Sequence, residues 1–336
     1  MIVRDECAVL RGCLDSLEKH VDEIIIVDTG STDDSRSIAR ARGARLLEFS
    51  WCDDFAAARN MGLAACRTDW VLYIDADERL IVSDGAKLAE TIEPSWTGAW
   101  VTFKPKSGFT RYIDPRLHRR DERLRFTGRI HETLYPAMLS LSANGGGSIG
   151  MSGASIDHLG YDVDQAAKHL RNLPLLQMAV LECPERVYLW YHLAETLDAM
   201  GRHEEAAVSA STGIRAAQSA ADEKTRQDAS LIYQFQARSM LRRGEDPVDI
   251  LKEGLERVPQ DHALTFLLAH RHVASGNPEA ALALADALLA VDPERLPLCF
   301  LAFDKQIFRE GARRIKARAL IDLGRAQEAV DVLNGL

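Results

Sequence analysis

The stretch Val71-Leu72-Tyr73-Ile74-Asp75-Ala76-Asp77-Glu78 decides how the first half of this chain is read: an apolar run of buried-strand character stops abruptly at three carboxylates. In an α/β sheet ligands gather at the carboxyl ends of strands, so acids placed there face a cleft rather than the core. Carboxylates at i and i+2 can reach one hard cation, directly or through water, and a nucleotide diphosphate can fill the remaining positions. An Asp-x-Asp triplet also recurs by chance, and the chain contains its own control. Asp162-Val163-Asp164 has the same spelling but no strand before it, and it opens a helical pattern in which Asp serves as a cap. That second triplet reads as structural. The first reads either as a metal-diphosphate site or as a solvated turn, and the surrounding sequence has to decide.

Upstream, the β-branched run Ile24-Ile25-Ile26-Val27 reads as a second buried strand, followed by Asp28-Thr29-Gly30-Ser31-Thr32-Asp33-Asp34 and a helix. Gly30 permits the turn, and Ser31 with Asp34 has capping-box spacing. Asp28 is placed either to accept a hydrogen bond from a base N–H or to serve as a turn carboxylate. Met1-Ile2-Val3 reads as the last residues of a strand before Arg4-Asp5-Glu6 and a helix from Val9 to Leu17. Either the chain begins late in that strand or the true start lies upstream. The helix Ser35–Arg42 is stopped by Gly43, a short strand spans Ala44 to Phe49, and a further helix spans Asp53 to Leu63. On that last helix Arg59 either faces a nucleotide or is a solvated charge. No Gly-x-Gly-x-x-Gly follows either of these apolar strands and no Walker loop is present, which moves the burden of neutralising phosphate onto a metal.

The 336 residues suit two domains, and 46% apolar with 27% charged is an ordinary soluble composition. A formal net charge of −9 argues against non-specific nucleic-acid binding and against a polybasic membrane anchor. There is no apolar run of membrane-spanning length and no basic-then-apolar leader, so a cytoplasmic protein without an integral membrane segment is expected. The six cysteines are scattered, with no Cys-x-x-Cys pair to suggest zinc or a redox centre.

Together these segments resemble a family 2 glycosyltransferase of the GT-A fold. Met1-Ile2-Val3-Arg4-Asp5-Glu6 resembles the end of that family's first strand, and Ile26-Val27-Asp28-Thr29-Gly30-Ser31-Thr32-Asp33 its second. Ala58-Arg59-Asn60-Met61-Gly62-Leu63 resembles its Arg-Asn helix, and Ile74-Asp75-Ala76-Asp77-Glu78 its metal motif. Four motifs in order are far more specific than one. The resemblance implies a sugar-nucleotide-dependent, usually inverting transferase with a divalent metal, Mn2+ or Mg2+, on the diphosphate. Asp28 and Arg59 would contact uracil, Asn60 and Ala76 would line the nucleotide-sugar site, Asp75 would meet the ribose or the metal, and Asp77 the metal. Gly128-Arg129-Ile130-His131-Glu132 matches an element of a family subset that carries helical repeats, including transferases that glycosylate peptide cysteines. An inverting displacement needs a base for the acceptor proton. Glu132, beside His131, is the candidate; a surface Glu next to a structural His is the plain reading. Ser140 to Gly153, with Asn144-Gly145-Gly146-Gly147-Ser148, reads as a flexible loop or a lid. A closing strand then ends at His158, which the resemblance makes a nitrogen ligand of the metal.

From Asp164 onward no strand pattern survives. Gly201-Arg202-His203-Glu204-Glu205-Ala206 recurs as Gly324-Arg325-Ala326-Gln327-Glu328-Ala329 and more loosely from Gly276, each between amphipathic helices. These resemble tetratricopeptide repeats of irregular length, about four helix pairs with one near Gly244. Tyr188, Trp190, Tyr191 and Tyr233 are expected in the core. The fold class is therefore α/β: a GT-A (Rossmann-like) nucleotide-sugar domain over residues 1–160, followed by an all-α TPR-like helical repeat domain over 161–336. The expected function is transfer of a sugar from a UDP-linked donor to a peptide, protein or glycan acceptor, with the repeats docking the acceptor or forming a homo-oligomer. The alternative is a non-catalytic TPR adaptor with a degenerate transferase domain; a pyrophosphorylase-like enzyme lacks its glycine-rich signature.

Overall fold

A computed structural model describes residues 1–82, 86–105, 108–160, 165–219 and 223–334. The Asp162-Val163-Asp164 triplet lies outside the described residues. The chain divides into two compact units, one of Met1–Lys106 with Arg111–Val163, the other of Asp164–Leu336 with Ser107–Thr110.

The first unit runs β1 (Ile2–Val3), α1 (Cys7–Leu17), β2 (Ile25–Asp28), α2 (Ser35–Ala41), β3 (Arg45–Glu48), α3 (Phe55–Ala65), β4 (Trp70–Leu72), β5 (Glu78–Val82), β6 (Trp96–Lys104), β7 (Tyr112–Arg119), α4 (Tyr135–Leu141) and β8 (Ser148–His158). Its strands form two sheets. The first, β1-β2-β3, is parallel, and all four residues of β2 are buried, as a continuous apolar strand covered on both faces should be. The second has the order β4-β7-β6-β8-β5 and is antiparallel except for the β6–β8 pair. Cys13 and Leu17 of α1 pack with Leu80, Val101, Phe103, Leu117 and Ile156 into one core cluster.

Three sequence expectations need correction here. The apolar run before the acids is not a fully buried strand: β4 stops at Leu72 and lies at the end of its sheet, half-buried throughout. A cavity of about 520 Å³ is lined by residues of both strands, Ile25 and Val27 of β2 and Val71 and Leu72 of β4 among them. The segment Ser140 to Gly153 is not a loop. α4 runs into a wide turn over Ser142–Gly146, and from Ser148 the chain is β8, an inner strand of eleven residues. Glycine serves there for close approach: a Cβ on Gly150 would lie 2.0 Å from the Trp96 ring, and one on Gly147 would lie 2.3 Å from the Ser95 carbonyl oxygen. Ser31 and Asp34 do not form a capping box, because the Ser31 hydroxyl accepts from the Asp5 N–H instead.

The second unit is helical. α5 (Gln165–Glu182) precedes α6 (Val187–Ala199), α7 (His203–Ala217), α8 (Glu223–Arg242), α9 (Val248–Arg257), α10 (His262–Ala274), α11 (Pro278–Leu289), α12 (Glu310–Asp322) and α13 (Ala326–Asn334). The turns within the pairs α6/α7, α8/α9, α10/α11 and α12/α13 each contain one left-handed glycine: Gly201 (φ 76°), Gly244 (75°), Gly276 (72°) and Gly324 (75°). That is why glycine recurs there, since an L-residue pays a steric penalty at φ > 0. Buried alanines such as Ala281, Ala285 and Ala319 let adjacent helices approach. Of the four aromatics expected in the core only Tyr233 is fully buried; Tyr188, Trp190 and Tyr191 are half-buried. No helix among the described residues is long and apolar enough to cross a membrane.

Candidate active site

The loops after β1 and β2 are fastened side by side. The Asp5 carboxylate accepts from Thr32 N (2.7 Å) and Asp33 N (3.3 Å), while Ser35 Oγ accepts from Glu6 N (2.8 Å) and Asp33 Oδ2 from Cys7 N (2.9 Å). Asp28, 1% exposed, turns inward. It accepts from Arg36 Nε (2.7 Å) and from the N–H groups of Gly30 and Ser31 (3.3 and 3.2 Å). Burial pushes its pKa up, but the Ser31 and Arg36 hydrogen bonds outweigh that and hold it below the usual carboxylate range. The structure engages Asp28 with the backbone of its own turn and with Arg36, a partner that sequence reasoning did not single out.

The acid turn sits between β4 and β5. It is closed twice: Glu78 N donates to Asp75 O (3.1 Å), and the Glu78 carboxylate accepts from Asp75 N (2.8 Å). Glu78, 2% exposed, is bound in turn by Arg116 of β7, whose Nη2 lies 3.0 Å from Glu78 Oε1. Asp75 Oδ1 accepts from Arg59 Nη2 (2.9 Å), and Asp75 Oδ2 lies 3.6 Å from Arg116 Nη1. Burial pushes Asp75 up, yet the two guanidiniums prevail and hold it below the usual range. Burial also pushes Glu78 up, and there it prevails, carrying the pKa to about 7 against the pull of Arg116. Two carboxylates sharing one guanidinium titrate as a pair, one low and one high. Ala76 is buried and offers its carbonyl to Arg79 Nη1 (3.0 Å), so it contributes to the turn through its backbone.

Asp77 points elsewhere. Strand β5 pairs with β8 so that Glu78 stands opposite His158, which brings the His158 ring to Asp77, with Nε2 and Oδ2 3.1 Å apart. That hydrogen bond lowers the Asp77 pKa and raises that of His158. Glu6 lies near the same acids; burial and then the charges of Asp77 and Asp75 push it up to about 7.

Helix α3 holds the remaining candidates. Its first N–H groups have no intrahelical acceptor. One of them, Phe55 N, donates to Arg129 O (2.8 Å), while Asp54 caps the helix by accepting from Ala57 N (2.8 Å). Both ends of the Asn60 amide engage the Phe126 backbone at 2.9 Å, so Asn60 clamps that segment to α3. Thr127 and Thr133 exchange backbone hydrogen bonds of 2.9 and 3.0 Å and close the loop between them. Inside that loop His131 adopts a left-handed backbone (φ 51°), sparsely populated for a residue with a Cβ. Glu132, its side chain 9% exposed, accepts from Arg59 Nε. Arg59 thus joins Asp75 to Glu132, with its guanidinium 5.5 Å from the Tyr73 ring centroid and 5.7 Å from that of Phe126.

The structure therefore brings Asp75, Arg59 and Glu132 together, sets Asp77 with His158 beside them through the acid turn, and leaves Asp28 to its own turn. The 520 Å³ cavity is lined by Arg59 but not by Asp28, Asp75, Asp77 or Glu132. Among the described residues there is no cluster of three His, Cys, Asp or Glu side chains arranged to hold a metal by themselves. The donor pair Asp77 and His158 nevertheless fits a divalent ion that takes its other ligands from a diphosphate and water. Asp75, held by two arginines, is not in that pair. Among the ion pairs of this cluster, Asp75, Glu78, Asp114 and Glu132 share Arg59 and Arg116.

Residues 1–146 match the model of glycosyl transferase family 2. The chain is similar to a TPR repeat-containing protein of Synechococcus elongatus, 40% identical over 144 residues, which is 42% of this chain and 36% of that one. It is also similar to the SPbeta prophage-derived glycosyltransferase SunS of Bacillus subtilis, 25% identical over 216 residues, 61% of this chain and 50% of that one. The chain thus spans half or less of the length of these relatives. Among solved structures it is similar to glucosyl-3-phosphoglycerate synthase from Mycobacterium tuberculosis in complex with Mn2+, UDP-glucose and phosphoglyceric acid, at 17% identity and TM-score 0.39, covering 55% of this chain and 78% of that one.

Proposed function

We propose, from a family 2 glycosyltransferase domain of α/β fold followed by helical repeats, that this chain transfers a sugar from a UDP-linked donor to a polypeptide acceptor, with inversion and with a divalent metal. The observation that carries the reading is the junction at Arg59, which ties a candidate base, Glu132, to the acid turn that presents Asp77 to His158. Asp77 and His158 would hold Mn2+ or Mg2+; when bound, the ion neutralises the departing diphosphate.

In this reading Glu132 uses Oε2, the oxygen turned away from Arg59, to take the acceptor proton. The acceptor oxygen or sulfur then forms its bond to the anomeric carbon as the bond from that carbon to the phosphate oxygen breaks, and UDP leaves on the opposite face. Arg59 keeps the carboxylate in place during the transfer, and the left-handed backbone at His131 sets the angle at which the loop offers it. The helical unit, with Leu170, Met178 and Leu181 exposed along α5, supplies apolar surface for an acceptor polypeptide.

Calorimetry tests the donor half. The protein should bind UDP in the presence of Mn2+, and Asp77→Ala should lose that binding. Undiminished binding in the variant removes the metal assignment. Slow metal-dependent release of UDP from a panel of sugar nucleotides tests the chemistry; no release from any donor assigns the chain to an adaptor role instead.

A further inference from the structure

We infer that Arg116 and the buried Glu78 form a positioning pair for the acid turn, setting the direction of the Asp75 carboxylate without touching substrate. The inference rests on the proposed donor site and adds to it two residues outside the Asp-x-Asp motif.

Four features support it. Glu78 binds the backbone of the very turn it ends, accepting from Asp75 N at 2.8 Å, so its carboxylate fixes the peptide that precedes Asp75. Arg116 grips that carboxylate with both terminal nitrogens, at 3.0 and 3.3 Å, a forked contact with directional as well as Coulombic force. Arg116 is itself aimed from three sides: its Nε donates to Asp114 at 2.8 Å, and its guanidinium lies 4.8 Å from the ring centroids of both Tyr73 and Phe103. Finally, Nη1 lies 3.6 Å from Asp75 Oδ2, opposite Arg59 on Oδ1, so Asp75 is held between two guanidiniums.

A buried ion pair adds little to stability over apolar side chains of the same volume, and its best-attested use is to fix one arrangement among several. Here the arrangement fixed is a turn of four residues carrying two acids at its mouth. Sequence reasoning missed it because Glu78 reads as the third of three acids and Arg116 as one arginine among several between Arg111 and Arg125. What distinguishes them is the register of β7 against β4, which places Arg116 beside Tyr73 through a Tyr73 N to Arg116 O hydrogen bond of 3.1 Å.

The experiment compares UDP affinity with Mn2+ and thermal stability in the full chain for the wild type, Arg116→Met, Glu78→Gln and the double variant Glu78→Gln/Arg116→Met. Removing Arg116 alone strands a buried carboxylate and lowers the melting temperature; removing both charges should restore most of it. If the pair positions the turn, the double variant melts near the wild type yet binds UDP at least tenfold more weakly. Arg116→Lys, which keeps the charge and loses the fork, should also fall at least tenfold while melting near the wild type. Wild-type affinity in the double variant overturns the positioning role and leaves the pair as packing. A wild type that does not bind UDP with Mn2+ sinks the donor-site reading itself, a result distinct from the first because it appears before any variant is made.

Discussion

Replacing Arg59 by Met should cost the first unit about 3 to 4 kcal/mol, a figure assembled from the two carboxylates it serves. Glu132 is 9% exposed at its side chain, so losing Arg59 leaves a carboxylate nearly out of water; breaking such a pair from one side typically costs ~3–5 kcal/mol. Asp75 adds little, because it is 38% exposed and keeps Arg116 within 3.6 Å, and exposed pairs are worth well under about 1 kcal/mol. The Met stem still packs between Tyr73 and Phe126, which offsets part of the loss. At roughly 2–4 °C per kcal/mol for a unit of this size, the transition assigned to the first unit should fall by about 6–15 °C. Circular dichroism melts with and without UDP identify that transition as the one that responds to ligand. Adding Glu132→Gln to Arg59→Met should return most of the loss, since the amide needs no counter-charge. A single Arg59→Met variant that melts within about 2 °C of the wild type would refute the junction, because no buried carboxylate could then have depended on it.

Gly150→Ala should destabilise the same unit by about 1–3 kcal/mol, since its Cβ would meet the Trp96 ring at 2.0 Å; chemical denaturation of G150A and of G150A with Trp96→Leu checks this, and the second substitution should relieve the first. Gly244→Ala, at φ 75°, should cost about 1–2 kcal/mol by forcing a side chain into the left-handed region, seen as a lowered urea midpoint of the helical unit. His118 is fully buried and its pKa is lowered from 6.5 to about 4 by that burial. The unfolded chain therefore takes up a proton below pH 6.5 that the folded chain refuses until about pH 4, so stability is lost as pH falls through that window, by about 2 kcal/mol near pH 5. His118→Gln should flatten the fall in melting temperature between about pH 6.5 and pH 5.

The elements of the first unit are legible because β2 is a continuous β-branched run, α1 has a helical period and Gly43 marks the end of a helix. The helical pairs are legible through the glycines at their turns. What the sequence conceals is which motif side chain bonds to which. Asp28 reads as a ligand-facing acid because strand-end acids usually are, yet a local arginine eight residues on claims it. Asn60 reads as part of a nucleotide motif, but its amide matches a backbone segment 66 residues away. Ser140 to Gly153 reads as a flexible loop because glycine is ambiguous: the same residue serves freedom in a loop and contact in a sheet, and only the Trp96 ring across β6 decides between them. The Arg59 junction unites two stretches that appear separately as a helix motif and a Gly-x-Ile-His-Glu element.

Arg59 is shared, and sharing has a kinetic consequence. A nucleotide that engages Asp75 competes for a partner of the guanidinium, which then holds Glu132 alone. If Glu132 takes the acceptor proton as proposed, it would sense an occupied donor pocket across a single side chain, before any acceptor has docked. Such wiring favours a compulsory order of arrival, donor first, and discourages wasteful activation of water while the nucleotide pocket stands vacant.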